Sequence, residues 1–220
     1  MPHPLPDGTF AEALVTRICH DLAGPIGAFG NGIELLGEEG DPAMQSQARV
    51  LLALSAQEGM ARLQLYRIAF GQLKDGIPAA DVEETRQIAR RFLARSPVTL
   101  DWPEGEKAGF RKDIAMPLRQ VLGGMVLVTA GFLPFGGTLS VRHHGKKRTL
   151  AVTGSHTRLR EDKTAVAALS GAGEDTPAPD SPYNIIPRFL AFSAYKSGLD
   201  LRCAKTETNI ELIAEYPNGM

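Results

Sequence analysis

Residues 10–36 constrain this chain more than any other stretch. Phe10, Leu14, Ile18, Leu22, Ile26, Phe29, Ile33 and Leu36 recur at spacings of three and four, the repeat of one face of an α-helix. A helix that long with an apolar stripe needs something to cover the stripe. Glycines at 37 and 40 suit a helix end, Asp41 suits an N-cap and Pro42 a first helical residue. Residues 42–73 then carry Val50, Leu51, Leu54, Met60, Leu63, Leu65, Ile68 and Phe70. Two long helices joined by a short turn predict a helical hairpin. A lone hairpin leaves apolar surface in water. Pairing with a second copy as a four-helix bundle would bury it, so a homodimer is expected.

At about 100° per residue, His20 turns away from the stripe. Its face carries Ala13, Thr16, Ala23, Gly24, Gly27 and Asn31, all small, so another protein can reach the imidazole. Glycine costs roughly 1 kcal/mol against alanine inside a helix. Gly24, Gly27, Gly30 and Gly32 therefore point to close approach: of a partner, or, for Gly30 and Gly32, equally of a packed helix. Pro25 lacks an N–H and crowds the Asp21 carbonyl one turn back, which predicts a kink. Cys19 adjoins His20 in sequence but does not face it, and reads as a small apolar filler. Tyr66 and Phe70, one turn apart, read as bundle core.

Charge excludes one class of function. With 24 basic and 25 acidic residues, the chain has no electrostatic surplus for nucleic acid. No apolar run reaches membrane-span length, and the proline-rich start does not resemble a signal peptide. Two cysteines fit a reducing compartment. A cytoplasmic protein is expected.

Composition shifts at residues 74–78, which places a domain boundary there: 1–76 for the hairpin and 77–220 for a second domain. Within the latter, helices are expected over 81–94, 114–131, 160–169 and 185–195, and strands over 98–102, 138–143, 148–153, 199–204 and 209–216. A basic hairpin tip falls at 144–148 and a Gly/Pro/acidic loop at 171–182. His143 and His144, adjacent on a strand, should point to opposite faces. The fold class is α+β: a helical hairpin followed by an α/β sandwich.

The box His20-Asp21-Leu22-Ala23-Gly24-Pro25 resembles the phospho-acceptor motif of two-component histidine kinases. The wider run, Ile18-Cys19-His20-Asp21-Leu22 and then Pro25-Ile26-Gly27-Ala28, is more similar to the ChpT-type histidine phosphotransferases. That resemblance implies a hairpin dimerisation and phosphotransfer domain followed by a degenerate form of the kinase ATP-binding domain. Lined up on Leu118, Gln120, Val121 and Leu122, the family's metal- and phosphate-binding asparagines fall on Gly124 and Val128. Neither offers an oxygen, and Mg²⁺ demands oxygen. The adenine-binding aspartate is missing from the turn at Gly154-Ser-His-Thr157. The phosphate loop is replaced by Asp180-Ser-Pro-Tyr-Asn184, where Pro182 removes a backbone donor.

The implied function is a phosphorelay. His20 would take a phosphoryl group from the receiver-domain aspartate of a hybrid histidine kinase and pass it to response regulators, with Asp21 orienting the imidazole or acting as base. Arg17 would either touch the phosphoryl group or pair with Asp21 at i,i+4. Thr16, Ala23, Gly24, Gly27 and Asn31 would form the docking face. No cofactor is expected on this chain, and Mg²⁺ would come with the receivers. Gly24 stands where phosphatase-active kinases carry Thr or Asn, so weak phosphatase activity is expected. Two other readings stay open: a dimeric scaffold that sequesters a receiver, and a divergent ATP-dependent histidine kinase.

Overall fold

The computed structural model describes residues 8–37, 41–71, 81–104, 116–144, 149–170 and 184–216. Helices α1 (Gly8–Gly37) and α2 (Pro42–Phe70) form the hairpin. At 1.5 Å per residue, α1 is about 45 Å long. Pro25 lies inside α1, and the helix runs through it unbroken. The Asp41 carboxylate accepts the Ala43 N–H and starts α2 as expected. The turn at 38–40, the boundary at 72–80, the basic tip at 145–148 and the loop at 171–183 lie outside the described residues.

The seam within the hairpin is built from small residues. Pro25 and Gly32 are the buried positions of α1 facing α2. A Cβ on Gly32 would stand 2.8 Å from Leu52 Cγ, so this glycine serves tight helix packing. Gly30 has open space around it. The apolar stripe is split along its length. Its start, with Phe10, Leu14 and Ile18, packs into the core shared with the second domain. Ala13, expected on the histidine face, also lies in that core. Further along α1, Ile26 and Ile33 are 64% and 54% exposed, and Phe29 is exposed as well. Periodicity could not separate these halves, because it reports which face is apolar and not what covers it.

The second domain follows the expected order. It runs α3 (Val82–Leu93), β1 (Val98–Asp101), α4 (Met116–Gly131), β2 (Gly137–His144), β3 (Thr149–Ser155), α5 (Lys163–Leu169), α6 (Ile185–Lys196), β4 (Asp200–Lys205) and β5 (Asn209–Glu215). Helix α5 begins later than expected because the Asp162 carboxylate caps it through the Ala165 N–H. The sheet order is β1-β2-β3-β5-β4, with β1 parallel to β2 and the other pairs antiparallel. Val141, Val152 and Leu212 stand in register and are fully buried, as period-two strands covered on one face require. His143 is buried and its neighbour His144 exposed, on opposite faces as predicted.

Helix α4 joins the two halves. A Cβ on Gly123 would lie 2.8 Å from Ile68 of α2, and one on Gly124 would lie 3.0 Å from Leu190 of α6. The glycine pair thus lets α4 pass closely between hairpin and sheet domain. Leu65, Tyr66 and Ala69 of α2 share one continuous core with Leu122, Met125 and Leu190.

Candidate functional site

The site is built where α1 and α2 run side by side. Consecutive residues of a helix point about 100° apart, so His20 and its neighbour Asp21 have opposite fates. The His20 side chain is 78% exposed, and that of Asp21 only 10%. Asp21 turns inward, yet its Oδ1 stays 3.2 Å from His20 Nδ1. The other carboxylate oxygen, Oδ2, accepts from Arg17 Nε at 2.8 Å and from the Tyr66 hydroxyl.

Electrostatics fixes the protons. Burial pushes the Asp21 carboxyl upward, but the hydrogen bonds from Tyr66 and His20 and the Arg17 guanidinium outweigh it and hold the group below its ordinary value. Burial first, then the adjacent carboxylate, pushes Tyr66 above the usual phenol range. Asp21 is therefore a carboxylate that only accepts, and Tyr66 a phenol that donates. His20 Nδ1 must carry hydrogen to donate to Oδ1, so in the neutral ring the lone pair sits on Nε2.

This arrangement has a consequence for acid stability. A carboxylate held below its ordinary value near 3.8 stabilises the fold at pH above that value, and the contribution is lost as pH falls through the lower folded-state value. Acidification from pH 5 to below 3.8 should therefore destabilise wild type more than Asp21→Asn. Urea midpoints at each pH measure this, and parallel slopes for the two proteins would contradict it.

The five residues expected to form a docking face share one property. Thr16, Ala23, Gly24, Gly27 and Asn31 are all exposed, and a Cβ on Gly24 or Gly27 would meet nothing within 4 Å. Arg17 is engaged with Asp21, the i,i+4 pairing of its two readings. Cys19 is exposed and not packed as a filler. A groove of about 320 Å³ runs beside His20, lined by Asp21, Gly24, Pro25, Ser55, Glu58, Arg62 and Arg95, among others. Glu58 ties this rim together, pairing with Arg62 at 3.0 Å and with Arg95, beyond the end of α3, at 3.8 Å.

Tyr66 is a residue of this site that the sequence alone does not place there. It is only 4% exposed, but it is more than bundle core: its ring stacks on Phe70, which meets Phe189 of α6 edge-on, while its hydroxyl reaches Asp21. Only its type gave a signal, since a buried tyrosine needs a partner for its O–H. Nothing local said that the partner lay 45 positions away.

Comparison with known proteins agrees with this geometry. The family model for the histidine phosphotransferase C-terminal domain matches residues 82–209. The protein phosphotransferase ChpT of Brucella abortus (strain 2308) is 30% identical over 206 residues, 92% of this chain and 93% of that protein. The chain belongs to the histidine phosphotransferase family. A solved bacterial phosphotransferase superposes with a TM-score of 0.76 at 28% identity, over 98% of this chain and 100% of that one. As a family member the chain is a phosphotransferase with a phosphorelay role, which implies receiver domains as partners. Among the described residues, no helix is long and apolar enough to cross a membrane.

Proposed function

We propose that His20 is the phospho-acceptor, shuttling a phosphoryl group between the receiver aspartate of a hybrid histidine kinase and the aspartates of response regulators in the cytoplasm. The observation that carries this reading is the exposed imidazole whose Nδ1 is held by a buried carboxylate. In the forward step Nε2 attacks phosphorus of an aspartyl phosphate. The N–P bond forms, the P–O bond to the receiver carboxyl breaks, and that carboxylate leaves. The imidazole ring gains positive charge, which Asp21 balances through Nδ1–H. A second receiver's carboxylate reverses the sequence. The bare face at Thr16, Ala23, Gly24, Gly27 and Asn31 lets a receiver approach Nε2 without displacing side chains.

No nucleotide is expected on the second domain, and two of its described positions support this reading. Gly124 is pressed against Leu190 and Val128 is buried core, so neither position presents an oxygen to a Mg²⁺–phosphate group. On this reading Mg²⁺ comes with the receivers. The division at residues 76/77 separates a part that transfers and dimerises from a part that supports it. Two copies pair through the open apolar side of the hairpin.

The test is label transfer. Purified protein is incubated with radiolabelled ATP alone and then with a phosphorylated cognate receiver. Label arriving only from the receiver, in an acid-labile, base-stable linkage, is the expected result. Label from ATP alone would make the chain a divergent kinase. Receiver binding without any label would make it a sequestering scaffold.

A further inference from the structure

We propose that Tyr66 is a positioning residue for phosphoryl transfer, acting through Asp21 to set the tautomer and orientation of His20. The inference rests on the reading of His20 as acceptor.

The geometry divides the Asp21 carboxylate between two tasks. Oδ2 is taken by Tyr66 and Arg17, and Oδ1 is left for His20 Nδ1. Two donors on one oxygen fix the rotation of the carboxylate, and that rotation fixes where Oδ1 meets the imidazole. Arg17 is a flexible donor on the same helix as Asp21. Tyr66 comes from the other helix, and its ring is clamped by the stack on Phe70 and, behind it, by Phe189 from α6 (ring centroids 5.5 Å and 4.9 Å apart). The rigid donor is thus held by the second domain. A phenylalanine would fill the same buried space, so burial of the ring does not account for the hydroxyl.

Removing that hydroxyl frees the carboxylate to turn. Nδ1 then loses its fixed acceptor, and part of the imidazole moves its hydrogen to Nε2, where the nitrogen has no lone pair for attack. Loss of the outer partner of a metal-ligating histidine typically costs about 10- to 100-fold, and the low end of that range is expected for an imidazole held only by a carboxylate.

The experiment measures single-turnover transfer from a phosphorylated receiver to wild type, Tyr66→Phe, Asp21→Asn and the double variant, with ¹⁵N chemical shifts of His20 in each. Tyr66→Phe is expected to be about 10-fold slower than wild type, at unchanged receiver affinity and with a melting temperature lowered by only a few degrees, with ¹⁵N shifts moved toward the Nε2–H form. In the Asp21→Asn background the same change should cost less than about 2-fold, because a residue acting through Asp21 has nothing left to act on. Wild-type rates in Tyr66→Phe, an undiminished loss in the Asp21→Asn background, or a slowed variant with unchanged ¹⁵N shifts would each overturn the proposal. His20→Ala is run in parallel. If it accepts label, the acceptor assignment fails; if it does not while Tyr66→Phe behaves as wild type, only the positioning role fails.

Discussion

His20→Ala is expected to lose phosphoryl transfer by a factor of about 10⁴ or more, the scale on which removing a nucleophile acts. The protein should otherwise be intact. A side chain 78% exposed contributes little to packing, and surface substitutions usually stay within about 0.5 kcal/mol. Losing the imidazole also leaves Asp21 with Arg17 and Tyr66 still donating to it, so no bare buried charge results. The other described histidines, His143, His144 and His156, lie on or beside the sheet and offer no substitute nucleophile in the hairpin. Phosphate-affinity gels after mixing with a phosphorylated receiver would read the loss, with calorimetry confirming that the receiver still binds. A variant that retained transfer would remove His20 from the mechanism.

Replacing Phe29 and Ile33 together by aspartate should dissociate the proposed dimer, weakening association by more than about 10³-fold. Ile26, Phe29 and Ile33 follow one another at spacings of three and four along α1, and all three stand open to solvent in the single chain. Met60 and Leu63 on α2 are exposed too. Covering a side chain of this size is worth roughly 1.5–3 kcal/mol. In a two-fold interface each substitution counts twice, and a carboxylate placed in an apolar seam without a partner adds a desolvation cost of several kcal/mol. Both positions face away from the core, so the monomer should keep its fold, which circular dichroism can check. Light scattering across a concentration series decides the matter. A monomeric wild type at micromolar concentration, or a dimeric double variant, would count against the four-helix bundle.

Much of the fold was legible because its signals are local. The Asp41-Pro42 helix start, the alternation in β2 and β3 and the apolar run of α4 each depend on residues within a few positions of one another. They led to the right element order. The errors also share a cause. Reading residues 10–36 as one stripe was sound periodicity, yet Phe10 and Ile26 end in different surroundings because α4 and α6 cover only part of the hairpin. Cys19 has the size of a filler, and only the packing of the helix leaves it exposed.

The site divides the same way. By itself the sequence determined the chemistry on offer: a histidine and an aspartate adjacent on a helix, a face of small residues around the imidazole, and a second domain whose Gly124 and Val128 carry no ligand oxygen. These follow from residue types at fixed helical spacing. Tertiary structure alone decided that Asp21 is buried, that Tyr66 donates to it across the hairpin, and that Phe70 and Phe189 hold Tyr66 in place. Those contacts join residues tens of positions apart. Their formation depends on how closely two helices approach, which is set by Gly32 at one seam and Gly123 and Gly124 at another, and no local pattern encodes that distance.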